Sequence, residues 1–264
     1  METALQVLPE SRLNLAVYLI NMDGAEDRME VMNRETAGAG IIAERVPAVI
    51  GRNLRFPIPE FSELSYKLLH GRRMKYGEVG CYLSHVECAR RFLASDAELC
   101  LILEDDVSFE PDFLETIDAA AKNADAWDIL RLTTVSSGRK FPYRALTDRR
   151  SLAIALTREK GSGAYMINRK AARWIEKDLV PMRLAYDIAF DLEYLSGLKG
   201  AFISPLVASQ DTEFESQIQG DMNSHKLPRW RYLTVLPYRA YLEVSRVLAR
   251  GGLLLWQKLV NRRR

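Results

Sequence analysis

Five apolar residues, Leu99-Cys-Leu-Ile-Leu103, run directly into three consecutive carboxylates, Glu104-Asp105-Asp106. The run is the most apolar stretch in the body of the chain, and its length suits a strand covered on both faces. Strands of that kind belong to sheets layered by helices, which points the chain towards an α/β architecture. In open α/β sheets ligands bind outside the carboxyl ends of the strands, so the acidic triplet falls at a functional edge. Adjacent carboxylates resist joint ionisation unless a cation compensates. Hard oxygen donors suit Mg2+ or Mn2+, ions that commonly bridge to substrate phosphates. The competing reading is a solvated acidic turn ahead of the Pro111 region.

The flanking sequence supports a layered sheet. Residues 14–20 are short, apolar and β-rich; Asn21-Met-Asp-Gly24 breaks them, and a polar helix is predicted over 25–36. Further helices are predicted over 78–95, over 113–123 and from Arg169. Strands are predicted at 127–132, 164–167 and 202–205, with a Gly- and Pro-punctuated loop at 51–59. At 264 residues the chain is long enough to bury a sizeable core without disulfides. Its three cysteines, Cys81, Cys88 and Cys100, form no CxxC pair; they read as reduced cytosolic thiols, with no zinc site expected. Acids and a proline occupy the N-terminus, so no secretory signal is expected. No stretch is long and apolar enough to span a bilayer.

Charge divides the chain. From Lys226 onward ten Lys/Arg face one acid, Glu243, a balance of +9 that leaves −7 on the first 225 residues. The division predicts a catalytic domain over 1–225 and a basic amphipathic tail over 226–264. Arg239, Glu243, Arg246 and Arg250 recur at helical spacing, and Leu253-Leu-Leu-Trp256 follows the Gly251-Gly252 break. Arginines on one face with Trp and Leu nearby predict a helix lying on an anionic membrane surface. The alternative is a tail packed back on the body. A nucleic-acid partner is not expected, because the basic residues are not interleaved with a stacking platform.

Several ordered blocks resemble glycosyltransferase family 25, the group containing bacterial lipooligosaccharide galactosyltransferases and animal collagen-modifying enzymes. They are 17–23 with Arg28, 45–49 with Gly51, Gly77-Glu-Val-Gly-Cys-Tyr-Leu-Ser-His85, Leu101-Ile-Leu-Glu-Asp-Asp-Val107 and Gly161-Ser-Gly-Ala-Tyr-Met-Ile167. Together they run from about Ala16 to Gln210. The resemblance implies an A-type glycosyltransferase fold, a single Rossmann-like mixed sheet flanked by helices, that uses a nucleotide-sugar donor. It implies Asp106 as direct metal ligand, with Glu104 beside it reaching the ion or the donor sugar, and His225 as a further candidate ligand. Asn21, Asp23 and Arg28, with Glu78, Ser84 and Asp105, are the expected donor contacts.

The family inverts configuration, so a base must take the acceptor hydroxyl proton as that oxygen attacks the anomeric carbon. Asp187 and Asp191, four residues apart, would share a helical face and are the candidate bases, with His85 as a less favoured one. Ser216-Gln-Ile218 resembles the end of the catalytic unit. The expected reaction moves galactose from UDP-galactose, with Mn2+ or Mg2+, to a lipooligosaccharide or other lipid-linked glycan. Its expected place is peripheral to the cytoplasmic, inner face of a bacterial inner membrane. Rival readings are a metal-dependent phosphoesterase and a non-catalytic glycan- or nucleotide-binding relative.

Overall fold

The computed structural model describes residues 5–210 and 225–261. In chain order the elements are β1 (Leu5–Val7), β2 (Asn14–Asn21), α1 (Glu26–Gly38), β3 (Glu44–Pro47), α2 (Glu63–Ser65) and α3 (Tyr76–Ala94). Then come β4 (Leu99–Glu104), β5 (Val107–Phe109), α4 (Phe113–Ala121), β6 (Ile129–Arg131), β7 (Lys140–Ala145) and β8 (Ser151–Ala155). The chain continues through β9 (Ala164–Asn168), α5 (Arg169–Lys177), α6 (Tyr186–Ala189), β10 (Gly200–Ser204), β11 (Ala208–Gln210) and α7 (Tyr232–Asn261).

Nine strands form one mixed sheet in the order β1-β2-β4-β9-β6-β10-β8-β7, with β3 also paired to β2. The pairs β2·β3, β2·β4 and β6·β10 are parallel; β9 runs antiparallel between β4 and β6. This is the single mixed sheet flanked by helices that the sequence predicts.

Period-two geometry explains the continuous apolar runs of β2 and β4, because successive side chains enter opposite layers. Leu15, Val17, Leu19, Leu99, Leu101 and Leu103 join a core with Met32 of α1 and Phe113 and Ile117 of α4. Ala16, Tyr18, Cys100 and Ile102 join the other core, against Val79, Tyr82 and Val86 of α3 and Trp174 of α5. Each such fully buried large side chain contributes roughly 1.5–3 kcal/mol, and this anchors the carboxyl ends of β2 and β4 side by side. The register puts Ile20 opposite Glu104. A separate two-stranded ladder pairs β5 with β11 and sets Gln210 opposite Val107, next to the acidic turn.

The tail is corrected in two respects. Gly251-Gly252 does not end a helix; α7 continues through both residues. The packing of Arg250, Leu254 and Gln257 against the body outweighs a helical glycine cost of about 1 kcal/mol each. The amphipathicity is also inverted from the expected arrangement. Arg246 and Arg250 lie 0% and 3% exposed on the inner face, where Arg246 meets Asp191 (3.1 Å) and Arg250 meets Asp191 and Glu193 (2.8 Å each). The outer face carries Leu233, Val244, Val247, Leu248, Leu255 and Leu259. The acidic body and basic tail therefore interlock, and the division at residue 225 is one of charge, not of packing.

Candidate active site

The turn leaving β4 gives its three carboxylates three different environments. Glu104 accepts hydrogen bonds from Ser162 Oγ (2.7 Å) and His85 Nε2 (3.2 Å), both at Oε1. An ionised carboxylate donates nothing, so His85 Nε2 carries a proton towards Glu104, while Nδ1 lies in hydrogen-bond contact with the Tyr165 hydroxyl at 3.0 Å. The imidazole stacks on Tyr186, with centroids 4.1 Å apart, and Tyr186 in turn bonds Tyr165 (2.9 Å). Burial alone would raise Glu104, but the hydrogen bond and charge of His85 and the Ser162 bond hold it below the usual carboxylate range.

Asp105 points back to the neighbouring strand, accepting from Asn21 Nδ2 (2.9 Å) and Arg28 Nη1 (3.0 Å). Arg45 extends this network by donating to Asn21 Oδ1 (2.9 Å) and Asp23 Oδ1 (2.6 Å). Asn21, Arg28 and Asp105 thus hold one another and fix the turn, at the edge where a donor's nucleoside was expected.

Asp106 is left with little compensation. Burial, then the charge of Glu104, raise it to about 6, opposed by a hydrogen bond from Gln210. Gln210 Nε2 donates to Asp106 Oδ1 (3.3 Å) and lies 3.5 Å from Glu104 Oε2, while its carbonyl Oε1 is buried with no partner. Gly163 makes this approach possible: a Cβ there would stand 2.4 Å from the Gln210 amide carbon. Two crowded carboxylates beside an orphaned carbonyl oxygen form a hard donor set, and these residues fit Mg2+ or Mn2+. The softer trio of Cys81, His85 and Glu104 also brings one ligand atom each within 4.8 Å of the others.

Helix α3 supplies the adjoining wall. Cys81 sits within reach of several carboxylates: burial, then the charges of Glu104, Asp187, Glu78 and Asp106, push its thiol up. Glu78 Oε2 accepts from the Tyr66 hydroxyl at 2.5 Å. Asp187, in the first turn of α6, is raised by burial, with Arg158, Arg131 and Lys160 pulling it back.

Other expected site residues lie elsewhere or do different work. Asp191 does not share a face with Asp187, because α6 ends at Ala189 and a tighter turn carries Asp191 into the core. There it is 0% exposed and held by Arg246 and Arg250. Ser84 is likewise buried, donating to Gly80 O and accepting from Val49 N–H, both at 2.8 Å. That stitches the 48–51 loop to α3, where a Cβ on Gly80 would lie 2.2 Å from Val49 O. His85 is fully buried with both nitrogens engaged, so it orients Glu104 and does not face an acceptor. Tyr165, fully buried beside it, bonds both His85 and Tyr186. His225 is fixed through its backbone, accepting from Arg73 N (2.8 Å), and no contact joins it to Asp106 or Glu104. Ser216-Gln-Ile218 lies outside the described residues.

Ser162 entered the sequence analysis only as a member of a longer block, and Cys81 otherwise only as a reduced thiol. Gln210 was legible as the end of the resemblance; its approach to Asp106 depends on the β5·β11 ladder, which has too few residues to show a period.

The chain matches Glycosyltransferase family 25 (LPS biosynthesis protein) over residues 14–190, more than half its length. Among relatives, a glycosyltransferase 25 family member of Drosophila melanogaster is 35% identical over 138 residues, covering 48% of this chain and 22% of that protein. Procollagen galactosyltransferase 2 of Homo sapiens is 27% identical over 150 residues, covering 53% and 24%. The aligned region spans about a fifth of the length of the relatives it matches. A glycosyltransferase involved in glycosylation of the major capsid of PBCV-1 superposes with a TM-score of 0.41 at 10% identity, covering 74% of this chain and 94% of that one. By its match across residues 14–190, the chain belongs to glycosyltransferase family 25.

Proposed function

We propose that the protein transfers a hexose, galactose, from a UDP-sugar to a glycan acceptor with inversion, using Mg2+ or Mn2+ held by Glu104, Asp106 and Gln210. The carrying observation is the pair of crowded carboxylates, Glu104 and Asp106, brought together beside the Gln210 side-chain amide at the carboxyl end of β4. Galactose is preferred because relatives of this chain bear the name procollagen galactosyltransferase. The cation would neutralise charge on the departing diphosphate. The chain's own part begins with Asp187, whose carboxylate burial raises above its ordinary pKa and so makes a stronger base. It takes the acceptor hydroxyl proton as that oxygen bonds to the anomeric carbon and the bond to the diphosphate breaks. Ser162 and His85 keep Glu104 ionised and aimed, and Asn21 and Arg28 turn Asp105 away from the ion.

A thermal-shift screen of UDP-sugars with and without Mn2+ tests this reading. At about 100 times its Kd a donor adds about 2.7 kcal/mol of stability, so UDP-galactose should raise Tm more with metal than without. Absence of metal-dependent stabilisation by every UDP-sugar would overturn the proposal. Binding without donor hydrolysis or transfer would favour a non-catalytic relative.

The acceptor is proposed to be lipid-linked and met at the cytoplasmic face of a membrane, with the outer face of α7 lying on the lipid. No described helix is long and apolar enough to cross. Leu233, Leu248, Leu255 and Trp256 are 80%, 71%, 66% and 65% exposed, and Trp230, Tyr232 and Tyr241 are also exposed. Exposed Lys226, Arg229 and Lys258 flank this face, the pairing of apolar stripe, interfacial aromatics and cations that anionic lipid attracts. Glutamate at Leu248 and Leu255 should lower binding to phosphatidylglycerol vesicles at least tenfold while leaving Tm nearly unchanged. Equal vesicle binding by the variant would remove the membrane from the proposal.

A further inference from the structure

Outside the carboxylate site the chain collects an uncompensated positive cluster. His70, at the end of the turn after α2, Arg158, in the loop between β8 and β9, and Arg239, on α7, line one cleft together with Leu69, Ile188 and Arg246. Arg246 is already paired with Asp191 and with Glu243 at the lip of the cleft (2.7 Å). No acid among the described residues pairs with Arg158 or Arg239, nor with neighbouring Arg72. Like charges are gathered here against their own repulsion: burial and the charges of Arg158, Arg72 and Arg231 lower Arg239. His70 is 6% exposed, and its Nε2 is buried with no hydrogen-bond partner. A buried nitrogen left unsatisfied costs roughly 1–3 kcal/mol, so its persistence among three guanidinium groups calls for a ligand that supplies oxygen and negative charge.

The cleft adjoins the proposed chemistry. Ile188 on its wall follows Asp187 in sequence, and Arg158 is the foremost charge acting on Asp187. We propose that His70, Arg158 and Arg239 form a phosphoryl-binding subsite that seats a phosphate carried by the acceptor, with the hydroxyl to be glycosylated directed towards Asp187. The placement beside Asp187 rests on the proposed transferase reading; the phosphate site itself does not. Guanidinium forks match pairs of phosphate oxygens, and His70, which burial and the charges of Arg72, Arg239 and Arg158 hold down to about 3, would donate to a third from the Nε2–H tautomer of its neutral imidazole. The donor diphosphate has its own place at Asp106 and Gln210, on the β4 side of the site.

Titration of the full chain with inorganic phosphate and with galactose 6-phosphate, followed through the His70 imidazole by nitrogen-15 NMR, tests the subsite. Both probes should shift His70, whereas galactose should not. Their affinities should fall at least tenfold in R158Q and in R239Q and recover in part in R239K. Affinity for UDP with Mn2+ should change less than twofold in the same variants. R239 is solvent-facing, so R239Q is the variant expected to keep the fold, as far-UV circular dichroism would show. A His70 signal indifferent to phosphate would overturn the subsite. So would parallel loss of UDP binding in R239Q, which would assign the cluster to the donor. Response to phosphatidylglycerol vesicles but not to galactose 6-phosphate would replace the acceptor by a lipid headgroup. If UDP fails to bind the unmodified chain, the transferase reading falls while the phosphate titration still reads the cleft.

Discussion

Asp106→Asn is expected to lower transfer, or metal-dependent donor hydrolysis, about a hundredfold to a thousandfold. Placed electrostatic groups at a developing charge contribute on that scale, several kcal/mol of barrier at about 1.4 kcal/mol per factor of ten. The same substitution should not weaken the metal-free fold, because Asp106 is crowded by Glu104 and raised to about 6. The sign follows from linkage. The folded carboxyl binds its proton more tightly than the unfolded one, so protonation favours folding. Its contribution to stability falls as pH rises from about 4 to about 6 and stays lost above that window. In Asp106→Asn this slope disappears. Protons also compete with the ion, so Mn2+ affinity of the unsubstituted chain should fall up to about tenfold per unit below pH 6. Calorimetric Mn2+ titrations at pH 5, 6 and 7 alongside the kinetics would check both halves. Full activity in Asp106→Asn would place the ion elsewhere, with Cys81, His85 and Glu104 the next donor set to examine.

The acidic turn and the strand beneath it were legible because two-sided burial leaves a simple mark: every residue of 99–103 must be apolar. The same rule made β2 and β9 readable. The β7–β8 hairpin was not, because edge strand β7 carries Pro142 at a register shift and two mostly covered cations, Lys140 and Arg144, paired with Glu159 and Asp125, which erase the alternation. Within the site, sequence gave residue types but not their partners. Glu104, Asp105 and Asp106 are chemically near-equivalent neighbours, yet Ser162 and His85 claim one, Asn21 and Arg28 another, and only the third is left facing Gln210. Those partners come from 19 to 106 positions away, so no local pattern encodes them. The tail shows the opposite failure. Its periodicity was real, but arginine was assigned to the wet face because an exposed location is the usual one for that residue. Buried acids invert that preference: Asp191 lay in a segment read for catalysis, and Glu193 lies just beyond it.

That inversion yields the largest expected change in stability. Arg250 donates through Nη2 to Asp191 Oδ1 and Glu193 Oε1 (2.8 Å each) and through Nε to Glu193 (3.0 Å). Burial pushes Glu193 up even with this partner present. Removing one member of a buried ion network strands the others, a loss of about 3–5 kcal/mol. Arg250→Met keeps the apolar bulk and should therefore destabilise the chain by about that amount in chemical denaturation. The deficit should shrink as pH falls towards the raised pKa of Glu193, where the stranded carboxyl takes up a proton. Replacing both partners, Arg250→Met with Glu193→Gln, should recover much of the loss, since no unpaired charge then remains opposite residue 250. A deletion after residue 225 would remove Arg246 as well, leaving Asp191 with Arg131 alone at 3.7 Å. Loss of vesicle binding in such a deletion would report a damaged fold as readily as a missing membrane contact. The outward leucines of α7, which carry no buried charge, separate these two effects. If Arg250→Met proves as stable as the unsubstituted chain, α7 is held by its apolar contacts alone, and the basic tail regains its independence from the body.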